Sequence, residues 1–183
     1  MISRLISLTI LIVLLPFLLL ISILIALDDG FPIFFSQKRT GINNKIFWIY
    51  KFRTMKIDTP NIASHLINSN KNYNTSFGKI IRKLSIDEIP QLINILKGEM
   101  RFIGPRPALY NQYDLIDLRT KLGIHKIHPG ITGWAQINGR DDLSISKKVS
   151  YDEYYLINRS TMLNIKIIFL TFLQILTPKG VSH

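Results

Sequence analysis

The chain has 183 residues, with 23 Lys and Arg against 12 Asp and Glu, a formal net charge of +11. That size leaves room for one compact domain plus an accessory segment, and that charge calls for an anionic partner: nucleic acid, acidic lipid or a phosphorylated substrate. The absence of cysteine excludes disulfide frameworks, thiolate zinc sites and cysteine nucleophiles.

From Leu5 to Leu27 no side chain is charged, and Leu and Ile dominate. As a helix rising about 1.5 Å per residue, this segment is long enough to cross a hydrocarbon core of about 30 Å. It exceeds the usual apolar core of a signal peptide and lacks a small-x-small cleavage site before Asp28. Pro16 lies at its middle, removes a backbone hydrogen bond and favours a kink. Two geometries follow: a kinked helix that spans the bilayer, or one that enters, bends at Pro16 and returns to the same face. Arg4 before the segment and Lys38, Arg39 and Lys45 after it lean toward the second, because cations favour the cytoplasmic side, but many transmembrane helices contain proline and spanning is the commoner outcome.

Phe31–Ser36 and Ile46–Lys51 are aromatic and β-branched runs separated by Thr40, Gly41, Asn43 and Asn44, which predicts a short hairpin. Asp58–Thr75 is rich in Asn, Ser and Thr with little apolar periodicity, the pattern of a polar loop. Ile80–Leu84 and Ile86–Leu96 are expected to be helical, with Ile89, Leu92, Ile93 and Leu96 on one face and Gly98 as the stop. Pro105 and Pro107 stiffen the connector that follows, and a further helix is expected from Ala108 toward Leu122. Glycines around Trp134 predict a short strand or loop over 128–140, and the apolar run Leu156–Leu176, broken by polar residues, predicts an interfacial or a buried helix.

Three stretches carry residues suited to chemistry. In the first, Ser85 followed three residues later by Glu88 has the form of a capping box, which puts Asp87 and Glu88 in the first turn of a helix. If Pro90 instead starts the regular helix, the acidic pair still lies at a helix start. Two adjacent carboxylates beside Arg82 and Lys83 can serve phosphoryl transfer, one attacking, the other handling a proton or a metal; carboxylates at a helix start are also simple caps. In the second, Arg106 is held between Pro105 and Pro107, which suits its planar fork to bidentate phosphate binding, or makes a rigid surface turn. In the third, Asn138-Gly139 is a turn signal that projects Arg140, while Asp152 is either a metal or sugar contact or an exposed helix acid.

The order and wording of six blocks resemble the bacterial sugar transferase family, the small monotopic phosphoglycosyl transferases: the N-terminal apolar segment, Phe34–Gly41, Tyr50–Met55, Leu84–Leu92, Phe102–Pro107 and Pro129–Arg140. The resemblance implies an α+β fold: a re-entrant membrane helix (residues 1–30) and a small, mostly helical cytoplasmic catalytic domain (31–183) with a short β-hairpin and interfacial helices. It implies that Asp87 attacks the β-phosphate of a UDP-sugar, UMP leaves, and polyprenyl phosphate then takes the sugar phosphate from the enzyme. Glu88 completes the catalytic dyad, and both carboxylates would hold Mg2+. Arg82, Arg106, Arg140 and Asp152 fall on substrate-binding positions. The implied place is the cytoplasmic membrane of a bacterium, with the domain on the cytoplasmic leaflet and no nucleic acid bound. The alternatives are a membrane-tethered basic binding protein and a catalytically inactive homologue.

Overall fold

The computed structural model describes residues 2–57, 59, 73–139 and 142–176. Nearly all of the Asp58–Thr75 loop, and Arg140, lie outside the described residues.

The first element is α1 (Ile2–Asp29), whose helical assignment continues through Pro16. One stripe of it packs on the rest of the chain. Ser7, Ile21 and Ile25 are buried, and Ile10, Leu11 and Leu18 cover two core clusters. Their spacing of three and four residues is one helical face. The other face, including Ile12, Val13, Leu19, Leu20 and Ile23, is exposed and mostly apolar, with the Thr9 hydroxyl there donating to the Leu5 carbonyl. By length and composition α1 is long and apolar enough to cross a membrane.

The hairpin forms as expected from β1 (Phe34–Thr40) and β2 (Ile46–Phe52), paired antiparallel with Phe34 opposite Phe52 and Thr40 opposite Ile46. Asn43 and Asn44 take left-handed backbone at the turn, a conformation asparagine tolerates. The outer edge of β2 is completed by a side chain. Asn94, fully buried, accepts from the Tyr50 amide and donates to the Trp48 carbonyl and to Glu99.

Next come α2 (Ser76–Lys83), capped by Thr75, a 3-10 turn over Ile86–Gln91, and α3 (Leu92–Lys97), closed by Gly98 in left-handed backbone. The predicted continuous helix over 86–96 is thus divided. Pro90 supplies no amide for an α-helical bond, so the first turn winds as 3-10. The capping box does not form: Ser85 is itself left-handed at φ 56°, where it ends α2, and its side chain caps nothing. Asp87 and Glu88 still occupy the first turn.

A second, parallel pair joins β3 (Arg101–Ile103) to β4 (Gly130–Thr132), with α4 (Tyr113–Lys121) in the crossover. Here two backbones nearly touch. A Cβ on Gly104 would meet the His128 carbonyl at 2.4 Å, and one on Gly130 would meet the Gly104 nitrogen at 2.1 Å. The short helix α5 (Trp134–Ile137), α6 (Ile145–Asn158) and α7 (Thr161–Leu176) complete the described chain. The predicted apolar run is therefore the end of one helix and the whole of another. Helix α7 is tied down by Thr132–Thr171 and Gln174–Ile137 hydrogen bonds, while Ile165, Phe169 and Phe172 are exposed, which matches an interfacial helix better than a buried one.

Candidate active site

Asp87 and Glu88 line one cavity of about 1460 Å³. Four elements converge there: the 3-10 turn bears the carboxylates, β2 supplies Lys51, α2 supplies Arg82, and the connector after β3 supplies Arg106. Lys51 Nζ donates to Glu88 Oε1 at 2.5 Å, and Arg106 Nη2 donates to the same oxygen at 3.2 Å. Glu88 is thereby held by two cations at 16 % side-chain exposure. No described residue hydrogen-bonds the Asp87 carboxylate, although Asp87 is 7 % exposed.

These surroundings push the two acids apart. Burial raises Asp87 from 3.8 to about 6, with Glu88 adding to the rise and Lys51, Arg82 and Arg106 opposing it. Burial also works against ionised Glu88, but Lys51 and Arg106 outweigh it and hold that carboxyl well below the usual range. One acid is firmly ionised while its neighbour titrates near neutrality, the separation that assigns different roles to a carboxylate pair. At pH 7 Asp87 is roughly nine-tenths ionised and desolvated, with no stabilising donor among the described residues, which suits a nucleophile.

Asp152 occupies another place. It is 1 % exposed, and its Oδ2 accepts from both Arg119 Nε (3.0 Å) and Nη2 (2.6 Å). Burial pushes the Asp152 carboxyl up, and Arg119 opposes the rise. The third Arg119 nitrogen donates to the Arg106 carbonyl at 2.8 Å. Asp152 thus reaches the site through Arg119 and the Arg106 backbone. Of the six sequence candidates, Asp87, Glu88, Arg82 and Arg106 come together at the cavity, Asp152 does not line it, and Arg140 lies outside the described residues.

Lys51 and Arg119 were not singled out from the sequence. A lysine inside the aromatic run Phe47–Phe52 was the available signal for Lys51. Arg119 sits near the end of α4, where a basic residue is ordinary, and carried no signal. A second basic group, Arg101, His128 and Arg159, lines the same cavity. Burial, then Arg101 and Arg4, hold His128 below its usual value, and Arg101 and Arg159 both act on the Tyr155 phenol, whose value burial raises.

An ionised carboxylate, a poised one and a ring of cations define an enzyme of the phosphoglycosyl transferase class. The sequence matches the bacterial sugar transferase family over residues 1–178, and the chain belongs to that family. It is 44 % identical over 161 residues to the uncharacterized sugar transferase EpsL of Bacillus subtilis, covering 87 % of this chain and 77 % of that one. It is 34 % identical to the exopolysaccharide production protein ExoY of Sinorhizobium fredii, covering 96 % and 84 %. With the UDP-glucose:undecaprenyl-phosphate glucose-1-phosphate transferase of Escherichia coli the identity is 38 %, over 85 % of this chain but only 35 % of that protein. The chain thus spans most of the shorter relatives and about a third of the longer one.

Proposed function

We propose that the protein transfers a sugar 1-phosphate from a UDP-sugar to a polyprenyl phosphate, by a covalent route through Asp87. The observation that carries this reading is the asymmetric pair: Asp87 is buried with no hydrogen-bond donor among the described residues, beside a Glu88 that two cations keep ionised. The E. coli relative, named as a UDP-glucose:undecaprenyl-phosphate glucose-1-phosphate transferase, is consistent with it.

In the first step an Asp87 oxygen attacks the β-phosphorus of the donor. The bond from that phosphorus to the bridging oxygen breaks, and UMP leaves with the electron pair. An oxygen of polyprenyl phosphate then attacks the same phosphorus, Asp87 departs as carboxylate, and polyprenyl diphosphate sugar is released. Arg82 and Arg106 offset the charge that spreads over the phosphoryl oxygens. Glu88 fixes Lys51 and Arg106 in place and neutralises them until the donor arrives.

Magnesium fits the donor set. The Asp87 carboxylate and the second oxygen of Glu88 are hard oxygen donors, and Mg2+ commonly takes one or two carboxylates while keeping water and substrate phosphate as its other ligands. No group of three metal-ligating side chains exists among the described residues, so such an ion would depend on the donor for part of its shell. When bound it would supply Lewis-acid charge to the diphosphate.

The membrane arrangement belongs to the same reading: residues 1–30 form a monotopic anchor and 31–183 a cytoplasmic domain at the bacterial inner membrane. Both ends of α1 are held by that one domain. Near the start, Arg4 donates to Lys97 O and Ser7 to Leu92 O; near the end, Asp28 accepts from the Phe77 amide and Arg53 donates to the Asp29 and Gly30 carbonyls. Contacts at both ends with one domain support a reading in which both ends lie at one membrane face. That face is where a cytosolic nucleotide sugar and a lipid phosphate meet.

The test is UMP release by detergent-solubilised protein given Mg2+, undecaprenyl phosphate and a panel of UDP-sugars. Release with a donor, lost in Asp87→Asn while membrane association persists, is expected. Turnover retained in that variant would sink the covalent mechanism.

A further inference from the structure

The cavity that holds the dyad does not end there. It continues between the N-terminal half of α1 and α7, where Ile6, Ile10 and Leu14 of one helix and Ile168 and Phe172 of the other line it. Arg101, His128 and Arg159 line the same cavity. Their mutual closeness shows in shared electrostatics, because Arg101 acts on both His128 and Tyr155, Arg4 on His128, and Arg159 on Tyr155. Yet none of Arg4, Arg101 and Arg159 forms an ion pair with a described carboxylate. Like charges gathered without a counterion repel one another, a cost that an anionic ligand removes.

Cations alone accept any anion, and an apolar groove alone accepts any hydrocarbon. Joined in one cavity, they select an amphiphile with a compact anionic head and a long apolar tail. Two sources have that chemistry: bulk anionic phospholipid and an isoprenoid phosphate. Continuity with the dyad favours the second, since a cavity that opens on Asp87 serves a lipid whose phosphate must reach a phosphoryl group held there. The groove also lies where Arg4 gives way to the uncharged Leu5–Leu27 segment, the level at which a lipid headgroup meets its tail.

We propose that this part of the cavity is the acceptor site: Arg101, His128 and Arg159 receive the phosphate of the polyprenyl phosphate, and its first isoprene units lie between α1 and α7. The assignment rests on the acceptor class proposed above. It makes Arg101 and Arg159 acceptor-selective residues, separate from the Arg82 and Arg106 that face the dyad.

Arg101→Gln combined with Arg159→Gln changes two exposed side chains and is expected to fold. In UMP-release kinetics the double variant should raise KM for polyprenyl phosphate about tenfold or more, the worth of a lost charge-assisted contact, with KM for the UDP-sugar within about twofold. Ile168→Trp, which fills the groove and leaves the cations intact, should raise the same KM. Unchanged acceptor KM, or an equal rise in both constants, overturns the proposal. So does an effect confined to vesicles containing phosphatidylglycerol and absent in neutral phosphatidylcholine, which assigns the cations to bulk lipid. Acceptor binding by the full chain in neutral nanodiscs, without any donor, keeps this test apart from the reaction itself. Wild-type binding that the double variant weakens supports the site even if no donor releases UMP, whereas equal binding by both proteins removes it.

Discussion

Replacing Asp87 by Asn should make the protein more stable as it makes it inactive, and the gain should depend on pH. In the folded chain Asp87 keeps its proton up to about pH 6, whereas the same group ordinarily loses it near 3.8. The folded state therefore binds more proton between those values, and stability falls as pH rises through them. The cost is fully present above pH 7 and absent well below 3.8. Two pH units correspond to about 3 kcal/mol at pH 8, falling to about 0.5 kcal/mol at pH 4. Asn has nearly the shape of Asp and no charge to desolvate, so Asp87→Asn recovers that amount. For a chain of this length the gain is roughly 6–12 °C in Tm at pH 8 and only about 1–2 °C at pH 4. Thermal unfolding of both proteins in one detergent at both pH values measures it. An equal shift at the two pH values, or a less stable variant at pH 8, would refute the claim that a desolvated carboxylate sits at position 87.

Four further outcomes are expected. Because the ionised form of Asp87 attacks, kcat/KM for the donor should fall about tenfold per pH unit below about 6, read from the acid limb of the profile. Glu88→Gln removes the like charge and leaves Lys51 and Arg106 to face Asp87, so that limb should move to lower pH while turnover drops about 100-fold. Asp152→Ala strands Arg119 without its buried partner and should cost roughly 3–5 kcal/mol in denaturant unfolding, with turnover falling as the Arg106 backbone loosens. Gly104→Ala forces the β3 and β4 backbones apart and should lower stability by about 2 kcal/mol or more and cut activity, whereas Gly123→Ala, in open space, should show only the smaller cost of its positive φ.

Local pattern carried the elements whose cause is local. The uncharged run of α1, the Asn43-Asn44 turn of the hairpin, and the Gly98 stop follow from side-chain chemistry within a few residues. The acidic pair was also legible, because either reading of Ser85 and Pro90 left it at a helix start. What could not be read is what distant segments do to one another. The capping box fails because Ser85 adopts left-handed backbone at the junction between α2 and the 3-10 turn, which no local pattern announced. Asp152 read as a surface or ligand-facing acid because burial against Arg119, 33 residues away, leaves no mark in local sequence. Lys51 meets Glu88 across 37 residues and was hidden for the same reason.

The buried stripe of α1 bears on where this helix stands in the chain's evolution and engineering. Ile21 and Ile25 share a core with Phe52 and Ile81, and at roughly 1.5–3 kcal/mol per buried side chain these contacts are a sizeable part of a domain's whole stability. A domain cut free at Gly30 would therefore lose a wall of its core as well as its tether. A generic hydrophobic span of equal length could restore membrane residence but not Ser7, Ile21 or Ile25 at their places on one face. This helix is an internal part of the enzyme, and drift in its sequence is constrained along its buried face.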